Sequence, residues 1–362
     1  MIVIRPPQQY DEIRATRTVQ AAAWGAADRD ITPASTLHAW MHAGGILVGA
    51  FDGDTMIGFS AGFPGKRDGK PMIWSHLTAV IPDYQGQGIG RRLKFAQREA
   101  ALKQGFDTIG WTYDPMRCKN AFFNIQTLGA NCQTLHTEFY GEMTDALNIG
   151  LVSDRFEVHW DLKSKAVEAR AGGQYTLQIQ PPEQYALQMR GIEPEFMTPP
   201  EQYEYNRYAV ELPVDLDSLR QQSTELTRAW YYALRKAVFP LFEAGYSISG
   251  VYQSADKPES FAYILGREAT WYLYILETVD GSLYTGIATD VQRRVLEHNS
   301  GRGAKYTASR RPVRLLAAWE TFGQSQALKL ERRLKSCTRE RKFALIASRE
   351  DFHGARNITG KL

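Results

Sequence analysis

Five side chains toward the C-terminal end of this 362-residue sequence have the types and spacing to cut a phosphodiester. Tyr274 and Tyr284 lie in two apolar runs, Trp271–Glu277 and Ser282–Ile287, joined across Val279-Asp280-Gly281. An Asp-Gly turn between apolar runs predicts a hairpin. Alternate residues of a strand share a face, so tyrosines on neighbouring strands can meet in one pocket. Arg294 and His298 stand four apart in Asp290–Asn299, a segment of helical spacing, and project together. Arginine can grip a phosphate through two N–H bonds. Glu331, in the helical run Ser325–Lys335, offers one carboxylate. That suffices for Mg²⁺ or Mn²⁺ when waters and phosphate oxygens complete the shell. Such a metal stabilises the leaving oxygen. A tyrosine phenolate, or His298 acting through it, would draw the proton from the attacking water. The sequence leaves open which of the two is the base.

A second centre lies early in the chain. The strand run Met72–Val80 ends at Ala79-Val80, passes Ile81-Pro82-Asp83-Tyr84, and enters Gln85-Gly86-Gln87-Gly88-Ile89-Gly90. A helical pattern, Arg91–Gln104, follows at once. Glycines let backbone N–H groups surround a phosphate, and a helix N-terminus favours negative charge. Arg91 and Arg92 would add cationic groups beside that anion. The spacing fails the G-x-G-x-x-G dinucleotide fingerprint, and no ribose-binding acid follows at the expected distance.

The elements that must position these groups are legible as runs. Ile2–Ile4 reads as a strand and Tyr10–Trp24 as a helix. Gly45–Phe51 and Met56–Gly62 form a hairpin around Asp52-Gly53-Asp54. Thr108–Thr112 and Val158–Leu162 are strands, with a short helix at Ala121–Leu128. Further on, Tyr175–Gln180, Ala209–Leu212, Tyr246–Tyr252 and Phe261–Leu265 read as strands around one long helix, Leu219–Glu243. In the tail, Val313–Thr321 is a strand and Arg339–Ile346 a helix, with Ser325 and Thr338 as N-caps. The order implies an α/β chain of the α+β kind, with a mixed, largely antiparallel sheet.

Composition narrows the classes. Apolar residues at 43% and charged residues at 23% match ordinary globular usage and argue against disorder or a fibre. The net charge of +3 hides an asymmetry. Residues 268–362 hold 17 Lys and Arg against 10 Asp and Glu, a net +7, which leaves −4 for residues 1–267. A basic tail on an acidic body points to a polyanion partner for the tail. Cys118, Cys132 and Cys337 form no C-x-x-C pair, so neither a disulfide framework nor a thiolate zinc site is expected. The first residues lack signal-peptide regions, and no apolar stretch approaches the roughly 20 residues of a membrane helix. The expected location is the cytoplasm, with no membrane partner.

Two family resemblances follow from the quoted residues. Gln85-Gly86-Gln87-Gly88-Ile89-Gly90 resembles the Q/R-x-x-G-x-G/A signature of the GNAT acetyltransferases. Asn120-Ala121-x-x-Asn124-x-x-x-Leu128-Gly129-Ala130 resembles the helix that follows it there. The likeness covers about residues 1–165, and the block after it resembles an extension found in one such subfamily. It implies acetyl-CoA as cofactor, an amine of unknown identity as acyl acceptor, and Ala79, Val80, Gln85, Gly86, Gln87, Gly88, Ile89, Gly90, Asn120 and Asn124 as cofactor contacts. The family's proton-donating tyrosine aligns with Asn124, which cannot play that part. Asp114, Glu138 and Glu142 are candidate bases by position, and Tyr113 or Tyr140 could replace the tyrosine. His76, His136 and His159 read as structural.

In the tail, Tyr272-Leu273-Tyr274, Tyr284-Thr285-Gly286, Arg294-Val295-Leu296-Glu297-His298 and Glu331 resemble, in order, the elements of the GIY-YIG nucleases, within their small single-domain bacterial branch. Tyr replaces the first glycine, and Arg339–Ile346 lacks the later asparagine of many members, with Asn357 lying late. The resemblance implies Tyr274, Tyr284, Arg294 and His298 as catalytic, Glu331 as metal ligand, and a small sandwich around a three-stranded antiparallel sheet. Branched or single-stranded DNA is the implied partner. The basic residues around the site (Arg302, Lys305, Arg310, Arg311, Arg314, Arg332, Arg333, Lys335, Arg339, Arg341 and Lys342) would contact phosphates. The stretch Gly301-Arg302-Gly303-Ala304-Lys305-Tyr306 reads as a flexible basic loop with an aromatic for stacking. The expected layout is residues 1–165, an associated extension 166–266, and a nuclease-like domain 268–355. The expected function is an acyltransferase fused to an endonuclease. The alternative is a nuclease or DNA-binding protein whose acidic body only binds CoA or docks partners.

Overall fold

The computed structural model describes the whole chain apart from residues 26–27, 68, 142–151, 174–178, 180–181, 183, 198–204, 268–269 and 362. It divides into two compact units, Met1–Gly266 and Arg267–Leu362. No described helix is long and apolar enough to cross a membrane.

The first unit opens with β1 (Ile2–Arg5), α1 (Tyr10–Trp24), α2 (Ala34–His42), β2 (Ile46–Asp52), β3 (Thr55–Arg67) and β4 (Lys70–Val80). The loop at Gln85–Gly88 leads into α3 (Ile89–Lys103), and β5 (Thr108–Tyr113), α4 (Cys118–Ala121), a π-helical turn at Phe122–Thr127, β6 (Asn131–His136), β7 (Arg155–Asp161) and α5 (Lys165–Ala171) follow. The unit continues with β8 (Tyr185–Arg190), β9 (Glu193–Phe196), β10 (Arg207–Pro213), α6 (Leu216–Gln222), α7 (Thr224–Glu243), β11 (Ser247–Tyr252) and β12 (Ser260–Gly266). The strands make one sheet of order β1-β2-β3-β4-β5-β7-β6-β11-β12-β10-β8-β9.

Hairpin chemistry and alternation explain the first half. Gly53, at φ +57°, turns β2 into β3. Ile13, Val19 and Leu37 cover one face with Phe51 and Phe59, while Leu93 and Phe95 of α3 join Ile73, Ile109, Trp111 and Trp160 in the main core. The pair β4–β5 departs from this regularity. The two strands are parallel and register only at Ile73↔Ile109 and Trp74↔Gly110, then diverge.

The second half of the unit continues the same sheet through one bridge, Ile248↔Cys132. Buried polar contacts fasten it. Tyr231 Oη donates to both oxygens of Asp114, at 3.0 and 2.9 Å. Tyr263 Oη donates to the Pro115 carbonyl at 2.8 Å, and Gln126 Nε2 to the Val251 carbonyl. Arg235 forks onto Asp154 through Nε and Nη2, both at 2.7 Å, and Asp154 is fully buried.

The second unit holds β13 (Thr270–Glu277), β14 (Leu283–Ala288), α8 (Val291–Asn299), α9 (Lys305–Ala308), β15 (Arg314–Phe322), α10 (Gln324–Ser336), α11 (Arg339–Ser348) and β16 (Arg356–Asn357). Its sheet is antiparallel, of order β14-β13-β15-β16. The three expected strands are joined at the edge by the two-residue β16. Leu273, Ile275 and Trp319 pack under Leu330, Leu334 and Leu345. Tyr274, Leu276 and Ala318 face Val291 on the other side.

Several element expectations shift. The long helix Leu219–Glu243 splits at Ser223, whose hydroxyl caps α7 by accepting from Leu226 N–H at 3.1 Å. Helix α10 starts at Gly323 rather than at a Ser325 cap, whereas Thr338 does cap α11. The elements α2, α5, β6, β8, β9 and α9 carry too few periodic residues to stand out as runs. The strand read at Tyr175–Gln180 falls almost wholly outside the described residues.

Asp154 tests how the unit is held. Its carboxylate is out of water and is paired by Arg235, with one further N–H from Glu138 at 3.0 Å. Arg235→Met leaves a buried charge without its partner, which costs about 3–5 kcal/mol. Urea unfolding of the variant should show an unfolding free energy lowered by that amount. A loss under about 1 kcal/mol, the scale of an exposed pair, would mean the contact does not hold the unit together.

Candidate functional site

In the first unit the glycine loop forms an open mouth. Gly86 and Gly88 have φ of +77° and +75°, and a Cβ on either would enter empty space. Backbone conformation, not crowding, therefore requires glycine there, and the space above the α3 N-terminus stays clear. Two glutamines brace the loop: Gln85 Nε2 donates to the Val80 carbonyl at 2.9 Å, and Gln87 Nε2 to the Asp83 carbonyl at 3.1 Å. Ile89, buried, anchors the helix start, and Gly90 lets Phe123 approach. The arginines depart from expectation. Arg91 donates to the Arg170 carbonyl and lies over Phe95, while Arg92 donates to the Ile2 carbonyl at 2.8 Å. Each guanidinium has one N–H held by a carbonyl, which turns both side chains toward other elements of the unit.

Beside the loop, the divergence of β4 from β5 opens a cavity of about 220 Å³. Ser75, His76 and Thr78 line it from β4, Trp111, Thr112 and Tyr113 from β5, and Lys94, Asn120 and Asn124 from the helices. Ser75 and Trp111 turn into the α3 core, and His76 turns toward Trp40 and Phe63, so the gap reaches both faces of the sheet. Asn124, on the π-helical turn, accepts from Trp111 Nε1 at 3.1 Å; Asn120 is exposed at the rim. Burial holds the His76 imidazole below its ordinary pKa, so it stands neutral and can accept a proton. Sequence reasoning read His76 as structural and passed over Ser75 and Lys94.

The candidate bases fare differently. Asp114 is buried under Tyr231 and accepts Met116 N–H at 2.9 Å, which makes it a structural carboxylate. Burial raises its pKa. Glu138 is exposed, at φ +51°, with Arg235 3.5 Å away. Glu142 lies outside the described residues. Tyr113 lines the cavity, kept protonated by burial, and Tyr140 Oη stands 3.3 Å from the Thr112 hydroxyl.

In the second unit the hairpin register places Tyr274 opposite Gly286 and Leu276 opposite Tyr284. The two tyrosines therefore sit diagonally on one face, with ring centroids 6.4 Å apart. Gly286 is needed for close approach: a Cβ there would come within 2.6 Å of Tyr274 Oη. Helix α8, capped by Asp290 accepting Arg293 N–H at 2.9 Å, brings Arg294 and His298 to the same phenol. The Arg294 guanidinium lies close enough to the Tyr274 oxygen to favour its ionised form. Tyr274 Oη and His298 Nε2 are 3.2 Å apart, and His298 Nδ1 lies 2.6 Å from Thr307 Oγ1. Thr307 Oγ1 donates to the Ala304 carbonyl at 2.9 Å. Two tautomers fit these contacts: with Nδ1 protonated, Tyr274 donates to His298 Nε2 and Nδ1–H donates to Thr307; with Nε2 protonated, Nε2–H donates to Tyr274 and Nδ1 accepts from Ala304 N–H at 3.4 Å.

Burial pushes the Tyr274 phenol up to about 12; Tyr284 and Glu331 add to the rise, and Arg294 opposes it. Burial, with Arg294, lowers the His298 pKa. At neutral pH both are uncharged. His298 is completely buried, so it reaches a substrate only through Tyr274.

Three features were invisible in the sequence. Glu297 accepts from Arg294 Nη1 at 2.6 Å and holds the guanidinium in place. Gly303 lies so close to the His298 ring that no Cβ fits, and α9 delivers Thr307 to that ring. The stretch Gly301–Tyr306 is thus a positioning element and not a loose basic loop. Tyr306 stacks on Tyr284 with centroids 6.1 Å apart, and Arg310 lies over it at 4.4 Å. Glu331 on α10 has a side chain 18% exposed and pairs with Lys335 at 2.9 Å. Several expected phosphate contacts are likewise paired: Arg310 with Asp280, Arg314 with Glu277, and Arg341 with Glu350. Asn357, on β16, accepts from Thr359 N–H at 3.0 Å and sits on the edge strand opposite Trp319.

The residues fit the implied groups. A helix N-terminus beneath two glycines suits a pyrophosphate, and the strand gap suits an extended arm. Among the described residues no cluster of three or more His, Cys, Asp or Glu could hold a metal, so any ion at Glu331 would rely on water and phosphate oxygens.

The family model for the GIY-YIG catalytic domain matches residues 270–344, and that for the acetyltransferase (GNAT) family matches residues 12–119. A UPF0213 protein of Cupriavidus pinatubonensis is 48% identical over 83 residues, which are 23% of this chain and 92% of that protein. Another, from Haloquadratum walsbyi, is 52% identical over 83 residues, again 23% and 92%. A third, from Staphylococcus saprophyticus, is 47% identical over 76 residues, 21% and 93%. Among solved structures, the ribosomal-protein-S18-alanine N-acetyltransferase of Escherichia coli is 17% identical with TM-score 0.37, covering 45% of this chain and 96% of that one. A GNAT family acetyltransferase of Elizabethkingia anophelis with acetyl-CoA bound is 16% identical with TM-score 0.32, covering 44% and 97%. The chain belongs to the UPF0213 family through its C-terminal GIY-YIG domain, and it carries a GNAT-family acetyltransferase domain ahead of it.

Proposed function

We propose that the chain is a two-activity enzyme: an acetyl-CoA-dependent N-acyltransferase in residues 1–266 and a divalent-metal-dependent DNA endonuclease in residues 267–362. The observation that carries the nuclease reading is the convergence of Arg294 and His298 on the one oxygen of Tyr274. A phenol with a pKa near 12 is a poor base by itself. Passing its proton to neutral His298 Nε2 lets its oxygen take the proton of the attacking water. Arg294 then faces the phosphate with Glu297 bracing it. Glu331 is the side chain that would hold Mg²⁺ or Mn²⁺, and such an ion would supply charge stabilisation at the leaving oxygen. Tyr284, edge-on to His298 and stacked on Tyr306, lies beside Tyr274. Contacts of this kind read backbone and shape, so branched or single-stranded DNA is the substrate class.

In the first domain the loop Gln85–Gly90 would take the pyrophosphate of acetyl-CoA and the β4–β5 gap its thioester arm. Ala79, Val80, Asn120 and Asn124 flank that path. Neutral His76, on the face opposite α3, is placed to take the proton of an incoming amine. Asn124 favours the second reading, a body that binds CoA without turnover, because its carboxamide is committed to Trp111 and has no proton to give a thiolate.

Gly88→Val tests the cofactor site. Valine is strained at φ +75° and its side chain would fill the phosphate space. Calorimetry should show CoA affinity reduced at least about tenfold, the equivalent of 1.4 kcal/mol. Unchanged affinity in a folded variant would place the cofactor elsewhere. Release of free thiol from acetyl-CoA, with candidate amines present, separates an enzyme from a binder.

Glu331→Gln and Arg294→Ala test the nuclease. In nicking assays on flapped and single-stranded DNA with Mg²⁺ or Mn²⁺, Glu331→Gln should abolish cleavage while DNA binding persists. Arg294→Ala should lose on the order of 10²–10³-fold in rate. Cleavage also requires unprotonated His298, so the rate should rise with pH along a limb lying below the ordinary 6.5 and stay flat above neutrality. Metal-dependent cleavage that survives in Glu331→Gln would remove this mechanism.

A further inference from the structure

Lys94 lies on the buried face of α3 and is 2% exposed. Its Nζ donates to Ser75 Oγ at 2.9 Å and to Gln97 Oε1 at 3.1 Å, and it lies 3.8 Å from the centroid of the Trp111 ring. None of these partners is a carboxylate, and among the described residues no acid neutralises it. An isolated ammonium out of water is costly, so a buried amine sheds its proton. Burial accordingly lowers the Lys94 pKa well below the usual range. The two N–H bonds of an unprotonated amine satisfy Ser75 and Gln97 and leave a lone pair uncommitted. Lys94 and both of its neighbours Ser75 and Trp111 line the cavity between β4 and β5, the space assigned above to the thioester arm.

We propose that Lys94 is an internal acyl acceptor, a modification site at which the amine in the β4–β5 gap takes the acyl group of a bound acyl-CoA. The proposal rests on the acyl-CoA reading of the first domain. In the step, the Nζ lone pair attacks the thioester carbonyl carbon. The C–N bond forms, the C–S bond breaks, and the sulfur leaves with the bonding pair. The proton lost by Nζ passes to that thiolate, giving Nε-acetyl-Lys94 and free coenzyme A. The product amide no longer takes up a proton and occupies the gap, so the modification closes the domain to a second thioester.

The test uses the full chain and acetyl-CoA carrying a deuterated acetyl group, read by intact mass and peptide mapping. The expected result is one labelled acetyl group per chain, at Lys94, absent in Gly88→Val and in Lys94→Met. Its rate should rise with pH by clearly less than tenfold per unit between pH 7 and 9, because burial lowers the pKa of this amine. Non-specific acetylation of an ordinary lysine amine, for which the reference pKa is about 10.4, should instead rise about tenfold per pH unit. Because the wild-type label is mapped directly, the result does not depend on a variant folding. If calorimetry shows CoA bound but Lys94 stays unlabelled, or labels with the pH dependence of exposed lysines, the proposal is overturned while the cofactor site stands. If CoA does not bind at all, the reading of the domain falls first and the proposal with it.

Discussion

The divergence of β4 from β5 is the constraint around which the first unit is arranged. Backbone N–H and C=O groups need partners when buried, and two parallel strands that separate after Trp74 and Gly110 forgo a run of them. The neighbouring elements work around that deficit. On one side β3 stays paired with β4 to its end at Val80, and on the other β7 pairs the full length of β5. The inner edges are left to a cavity lined by polar side chains, opening toward the N-terminus of α3. A strand edge facing such a space can hydrogen-bond an extended ligand. The π-helical turn carrying Asn124 and the buried Lys94 both border this one gap.

In the second unit the equivalent constraint is the approach of Tyr274 to Gly286. Sheet register fixes it: a slip of one residue between β13 and β14 would put the two tyrosines on opposite faces. With the register held by pairing on both sides of β13, the Tyr274 phenol meets His298 of α8 at 3.2 Å with Arg294 beside it. The loop that follows is then shaped by His298 rather than by solvent. Gly303 yields room for its ring, and Thr307 holds its far nitrogen. Substituting Gly286 or Gly303 would disturb the same histidine from two sides.

Local signals were well legible. Helix α1 and the hairpin around Gly53 appear where apolar periodicity and the Asp-Gly turn put them. Tyr274, Arg294 and His298 converge because strand and helix periods are geometric facts about the chain. What tertiary packing decides was not legible. Nothing local marks where two parallel strands part, or that a single bridge at Ile248 extends the sheet into the second half of the unit. Arg91 and Arg92 look like phosphate ligands by position, yet carbonyls brought from Ile2 and Arg170 take them. Lys94 carried a weak signal. It shares a helical stripe with Gln97 and Ala101, and only the alanine reads as buried.

Both candidate sites use burial in the same manner. Taking a titratable group out of water disfavours whichever form is charged. In the second unit it pushes a phenol up and an imidazole down, and in the first it pushes an amine and an imidazole down. At neutral pH each pocket therefore rests with its proton-handling groups uncharged, and charge is created only as protons move. A proton can then pass along Tyr274 and His298, or onto His76, without a standing ion pair to break. The groups proposed to meet phosphate obey a different rule. Arg294 keeps its charge because Glu297 and the phenol oxygen support it, and the α3 N-terminus offers dipoles that need no proton at all. Fixed positive potential for the anion and neutral groups for the proton are separate requirements, and in each unit they fall on different residues a few ångströms apart.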